Sequence, residues 1–234
     1  METFGSSGLL DWAGPILNGA LVTIEMAIAA YLIGLALGLL GATAKLSGNR
    51  ILKGLATGYT TIVRAVPELL LIIILYYSGQ QALNALLRWL EFEGTYDISG
   101  FAAAIAVLAV VEGAYLTEIF RGAILAIPRG HIEAADAFGM TRRQRFRRII
   151  LPEMLPNALG GMSNIWLILV KDTALVSVVG FQELFFTTQQ AAASTRSYFV
   201  FYAVAGAIYL VMTMTSNVFF NRVEQRVRRG QPGV

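Results

Sequence analysis

Five long apolar runs, separated by short polar connectors, organise this chain. They lie at about 16–42, 56–87, 101–127, 157–179 and 198–220. Each reaches the roughly 20 residues that a helix needs to cross a hydrocarbon core of ~30 Å. None alternates in the manner of a barrel strand, where lipid-facing and lumen-facing residues change places at every step. The pattern predicts an all-α, polytopic membrane helical bundle with five transmembrane helices, forming a single domain over 1–234. The second run is long enough for a span plus an interfacial turn. Pro67 interrupts it and predicts a bend, because proline removes a backbone donor and clashes with the preceding turn.

The connectors differ in charge, and that difference orients the bundle. The first holds Lys45, Arg50 and Lys53, the third Arg129, Arg142, Arg143, Arg145, Arg147 and Arg148, and the C-terminal tail Arg222, Arg226, Arg228 and Arg229. These segments carry 13 of the 18 basic residues. With five spans and an external N-terminus they all fall on the cytoplasmic side, where lysine and arginine accumulate. The second connector sets Arg88 against Glu91, Glu93 and Asp97, and the fourth carries Glu183 and Arg196; both are read as external. Basic residues after a final span are expected on the cytoplasmic face, so the tail gives no reason to invoke nucleic acid.

Composition narrows the chemistry. The chain is 56% hydrophobic and 14% charged, too apolar for an ordinary soluble surface. It has no cysteine and one histidine, His131, which rules out thiol chemistry and a histidine-rich metal site. The N-terminus lacks a basic segment before its apolar run and a small-x-small cleavage site, so that run is read as a retained span. No glycine-rich loop ending in Gly-Lys-Ser or Gly-Lys-Thr is present, and no nucleophile–base arrangement, so the expected list of catalytic residues is empty.

The third connector, at about 128–152, is the most structured. Pro128 and Gly130 end the third run. A short helix is expected over 131–138, with Ile132, Ala135 and Phe138 at helical spacing. Gly139 ends or bends it, Thr141 caps a second helical turn, and Arg142, Arg145 and Arg148 recur every three residues. Phe146, Ile149 and Ile150 supply apolar contact, and Pro152 and Pro156 mark the beginning of the fourth span. Taken alone, this is a helical knob that either anchors the connection in the interface or docks another surface, for which Ala134 and Ala135 leave room.

The order Glu133-Ala134-Ala135, three residues, Gly139, nine residues, Ile149, one residue, Leu151-Pro152 resembles the EAA loop of bacterial ABC-transporter permeases. Arg64-Ala65-Val66-Pro67-Glu68 is similar to the Arg-x-x-Pro-acid segment of polar amino-acid permeases, with Ala65 where glycine is usual. Tyr115 through Glu118, Arg121, Gly122 and Gly130 are similar to the third-span end of that group. Lys171-Asp172-Thr173-Ala174-Leu175 is similar to its fourth-span motif. The resemblance runs over about 16–228 and is closest to the branch importing histidine, lysine, arginine, ornithine or opines. Asp172 stands where histidine and opine importers often carry a small neutral residue, which weakens the case for a histidine or opine cargo and leaves a basic or other polar amino acid open.

The resemblance implies a type I importer permease fold in the bacterial inner membrane. It implies a coupling loop whose ATPase contacts are Glu133, Ala134, Ala135, Gly139, Arg142, Arg143 and Phe146. The implied partners are two copies of a cytoplasmic ATP-binding subunit, a second permease subunit in a homo- or heterodimer, and a periplasmic or extracellular solute-binding protein. ATP and Mg would sit on the ATPase; no cofactor is expected on this chain. An opine or another small polar solute is the alternative cargo, and a secondary transporter the alternative class.

Ionisable groups inside spans are costly and face a partner, a cavity or a pathway. Glu25 lies in the first run and Lys171 and Asp172 in the fourth. Glu112 and Glu118 lie six residues apart in the third, about 240° of helix rotation. One expectation pairs Lys171 with Glu118 or Glu112, and Arg64 or Arg121 with Glu68. The other places Glu112, Glu118, Ser163, Asn164, Lys171 and Asp172 along a substrate pathway, with Arg64, Pro67, Glu68 and Arg121 as structural or gating residues. Glu112 and Asp172 are the deepest candidates for holding an ammonium or a cationic side chain. Trp166 is read as packing, and Tyr76, Tyr77, Tyr198 and Tyr202 as interfacial residues.

Overall fold

A computed structural model describes residues 6–90 and 99–228. Glu91, Glu93 and Asp97 of the second connector and Arg229 of the tail lie outside the described residues. The elements are α1 (Ser6–Leu46), α2 (Arg50–Ala65), α3 (Glu68–Trp89), α4 (Gly100–Leu125), α5 (Arg129–Ala137) and α6 (Arg142–Arg145). A π-helical turn (Phe146–Ile150) leads into α7 (Leu151–Asp172), a 3₁₀ segment (Thr173–Val179), α8 (Leu184–Thr195) and α9 (Tyr198–Arg228). Five helical stretches are long and apolar enough to cross a membrane: Leu9–Leu46, Glu68–Trp89, Gly100–Leu125, Arg142–Val179 and Tyr198–Val227. Among the described residues there is no strand.

α1 and α4 form the heart of the bundle, and glycine makes their contact possible. A Cβ on Gly38 would lie 2.6 Å from Leu116 Cβ, and one on Gly41 would lie 2.3 Å from Thr117 Oγ1. Small residues allow such close approach where lipid offers no hydrophobic drive for helix association. Thr117 is itself held, donating to the Gly113 carbonyl at 2.7 Å. Around this seam Met26, Ala27, Ala30, Leu108, Ala109, Leu116, Leu169 and Val170 are buried. Leu17, Leu21, Leu32, Val211, Met214 and Phe219 project outward from α1 and α9. That apolar exterior suits a helix surrounded by lipid.

The second run is not one bent helix. The chain breaks at Val66 (φ −97°, ψ 140°) and Pro67 (φ −55°, ψ 133°), both extended. Proline bars the residue before it from the helical region, so α2 and α3 separate completely and only α3 is long and apolar enough to span. α2 begins at Asn49, whose side chain accepts from the amides of Ile51 and Leu52.

The fourth connector has structure of its own. It contains α8, packed between α1 and α9. Glu183 caps α8 and is fully buried. Its carboxylate accepts from Phe185 N–H at 2.9 Å, Phe186 N–H at 2.7 Å, and the hydroxyls of Thr23 and Tyr209 at 3.2 Å each. One side chain thereby ties α8 to both neighbours. Gly19 of α1 lies so close that a Cβ would come 3.0 Å from Leu184 Cα.

Candidate coupling knob and buried carboxylates

The knob assembles from local rules. Pro128 stands before α5 with extended ψ (130°). α5 closes with a Schellman pattern: Gly139 N–H donates to the Asp136 carbonyl at 3.0 Å and Met140 N–H to the Ala135 carbonyl at 3.1 Å. Gly139 takes φ +69°, the left-handed conformation that other residues adopt only at a cost. Thr141 then opens α6 with a reciprocal capping box. Gln144 N–H donates to Thr141 Oγ1 at 3.3 Å, and Thr141 N–H donates to Gln144 Oε1 at 2.9 Å.

An ion pair and a histidine–carboxylate contact fix the knob's shape. Arg145 Nη1 binds both carboxylate oxygens of Asp136, locking α6 onto α5. His131 Nδ1 lies 2.7 Å from Glu153 Oε2, tying α5 to the start of α7. Ile132, Ile150 and Leu151 pack against the main core and seat the knob on the bundle. Glu133, Ala134 and Gly139 point outward with Phe138, which is 85% exposed. Arg142 and Arg143 are exposed and Phe146 half-buried. Ala135 differs from its expected outward role: at 2% exposure it faces the chain's own interior, where its small size lets α5 lie close.

A second constellation forms among α2, α3, α4 and α7. Glu112 is 1% exposed, and neither carboxylate oxygen has a hydrogen-bond partner among the described residues. Asp172 Oδ2 is likewise buried and unpartnered. Glu68 lies beside Asp172 and Tyr115, and the Arg64 guanidinium sits 5.6 Å from the centroid of the Tyr115 ring. Thus the Arg64–Glu68 segment, Glu112 and Asp172, far apart in sequence, come into one neighbourhood. Buried carboxyl oxygens lacking donors are expensive in a packed interior. An arrangement that keeps them is suited to a ligand that donates.

The expected ion pairs of Lys171, Arg64 and Arg121 are absent. Glu118 pairs with Lys45, from the first connector, and with Arg121 Nε at 2.9 Å. It belongs to a charged cluster apart from Glu112. Lys171 is exposed and lines a cavity of about 330 Å³ with Phe185, Tyr202 and Tyr209. Arg64 meets the Tyr115 ring and forms no salt bridge with Glu68. Ser163 Oγ donates to the Gly160 carbonyl of its own helix at 2.9 Å, and Asn164 is exposed. Trp166 packs edge-on against Tyr31 (ring centroids 5.3 Å) and donates to Ser216 at 2.8 Å. Lys45 and Glu183 escaped notice as site residues. Lys45 reads as one more cytoplasmic charge, and a glutamate in a connector carries no signal of burial.

Residues 14–229 match the family described as binding-protein-dependent transport system inner membrane component, and the chain belongs to that family. It is a membrane-embedded permease of the ABC importer class. Among its relatives, the histidine/lysine/arginine/ornithine transport permease HisQ of Escherichia coli K12 is 46% identical over 95% of this chain and 97% of its own. The octopine transport permease OccQ of Agrobacterium tumefaciens Ach5 is 39% identical, over 99% and 97%. A solved amino acid ABC transporter with histidines superposes with a TM-score of 0.78 at 29% identity, covering 96% of this chain and 99% of that one.

Proposed function

We propose that this chain is one of two permease subunits through which an ATP-driven importer passes basic or other polar amino acids into the cell. Support for the cargo comes from the relatives that transport histidine, lysine, arginine and ornithine, and from an acidic neighbourhood suited to an ammonium donor. An opine is the second cargo, favoured by the 39% identity with the octopine permease. The N-terminus is external and the C-terminus cytoplasmic, following the basic connectors. A cytoplasmic ATPase, in two copies, binds ATP and Mg and drives the cycle; a solute-binding protein outside delivers the cargo.

The observation that carries the coupling assignment is the rigid knob. Its Schellman turn, capping box, Arg145–Asp136 ion pair and His131–Glu153 contact present Glu133, Ala134, Phe138 and Gly139 outward on a frame seated against the core. Closure of an ATPase dimer pulling on that frame would move α7 through the His131–Glu153 pair and the Ile150–Leu151 packing. Glu133, Ala134, Gly139, Arg142, Arg143 and Phe146 meet the motor; Ala135 supports them from behind. Glu112 and Asp172, with Glu68 beside them, line the pathway, while Arg64, Pro67 and Arg121 set the geometry of its cytoplasmic end.

Because the chain has no cysteine, a single Ala134→Cys variant can be labelled uniquely. A short bifunctional cross-linker there should capture the ATPase subunit of the purified complex, and a Cys at Thr195 should not. Capture from Thr195 with none from Ala134 would defeat the assignment.

A further inference from the structure

Beside the outward face of α5 lies a second feature of different chemistry. A cleft of about 540 Å³ is lined by Arg143, Gln144, Arg147 and Arg148. Among the described residues no carboxylate lines it. The nearby acids are already engaged, Asp136 by Arg145 and Glu153 by His131. Among the described residues none of the three lining arginines makes an ion pair. Three uncompensated guanidinium groups around one cavity repel one another and call for an anion that can take several donors at once. A phosphate group does this, because its oxygens match the planar guanidinium fork.

The depth of the cleft indicates which phosphate. The helical run is continuous from α6 through the π-turn into α7, and Ile150 and Leu151 pack against the core. At 1.5 Å per residue, Arg147 and Arg148 stand only ~5 Å before Leu151. The headgroup layer is about 5–8 Å thick on each side of a hydrocarbon core of ~30 Å. Both arginines therefore stand at the cytoplasmic end of the fourth spanning stretch, where clustered basic residues meet anionic headgroups. The exposed tip of α5 bears Glu133 and Phe138 instead, so the cleft touches the motor-contact surface only at its edge, at Arg143.

We propose that this cleft binds the phosphate headgroup of an anionic phospholipid of the cytoplasmic leaflet, anchoring the base of the coupling knob in the membrane. The proposal rests on the membrane orientation given above and is independent of the cargo. Bound lipid neutralises Arg143, Arg147 and Arg148 and braces the π-turn against the pull applied to α5.

The test uses the intact transporter complex in detergent, titrated with phosphatidylglycerol or phosphatidylcholine and read by native mass spectrometry. Wild type should retain phosphatidylglycerol in clear preference. The Arg147→Gln/Arg148→Gln double variant should lower that affinity by on the order of tenfold or more. Neither side chain makes an ion pair among the described residues, so the variant should assemble normally. Lys53→Gln, which removes a basic charge elsewhere, should leave lipid retention unchanged. Equal retention of both lipids overturns the proposal, as does undiminished phosphatidylglycerol binding by the double variant. Millimolar inorganic phosphate displacing the lipid completely would place a free anion in the cleft and also overturn it. So would loss of the ATPase subunit from the double variant with lipid retention intact, which would give the cleft to the motor.

Discussion

The seam between α1 and α4 offers the most quantitative test of the fold. In Gly38→Ala the new methyl would lie 2.6 Å from Leu116 Cβ, 3.0 Å from the Leu116 backbone carbon and 3.2 Å from Phe120 Cε2. Carbon atoms in contact sit at about 3.5–4.0 Å, so the helices must part locally by about 1 Å. Leu116 is fully buried and the backbone atom cannot turn aside. Overpacking of this kind costs about 1–3 kcal/mol. The better helix propensity of alanine returns up to about 1 kcal/mol, leaving a net loss of about 1–2 kcal/mol. Gly54 of α2 is the control: a Cβ there meets nothing within 4 Å, so Gly54→Ala should gain up to about 1 kcal/mol. Heating detergent-purified protein and following the monodisperse fraction by size-exclusion chromatography measures both. Gly38→Ala should melt roughly 2–8 °C below wild type, and Gly54→Ala at or above it. A Gly38→Ala protein as stable as Gly54→Ala would refute the close packing.

Three further outcomes follow from the same structure. Glu183→Ala strands four donors, that of buried Thr23 among them, at up to about 1–3 kcal/mol each in the unrelaxed limit; the loss should exceed that of Gly38→Ala in the same melting assay, with Glu183→Gln intermediate. Gly139→Ala forces a left-handed alanine at about 1–2 kcal/mol with no clash. It should lower the melting temperature by roughly 2–8 °C and weaken cross-linking from residue 134, while Gly139→Asn retains more of both. Glu112→Gln should reduce discrimination between arginine and glutamine in uptake assays by about tenfold or more, the worth of one charge-assisted hydrogen bond; unchanged discrimination would remove Glu112 from the pathway.

Much of the architecture was legible because lipid imposes simple rules. Five runs long enough to cross the core became five spanning stretches, and the knob followed from Pro128, Gly139 and Thr141, residues whose backbone preferences are strong. The failures are equally physical. Pro67 was read as bending one helix, but Val66 must also leave the helical region, and two successive extended residues separate α2 from α3. α8 was missed because LFFTTQQAAAST is short and only moderately apolar, and glutamate is an uncommon N-cap. At the candidate site, Glu112 and Asp172 stood out as charges at depth. Their proximity to Glu68 and Arg64 depended on how four helices pack. The Lys45–Glu118 pair spans 73 residues, and no local pattern announces such a contact.

The central claim, that this chain conducts polar amino acids under the control of an ATPase, is tested most directly by uptake into proteoliposomes. The complex would be reconstituted with ATP on the ATPase side and arginine-loaded binding protein on the other. The account predicts accumulation of labelled arginine above its external concentration, dependent on ATP and on the binding protein, and indifferent to collapse of proton or sodium gradients. Accumulation driven by an ion gradient without ATP, or no uptake of any basic or polar amino acid by an active complex, would contradict it.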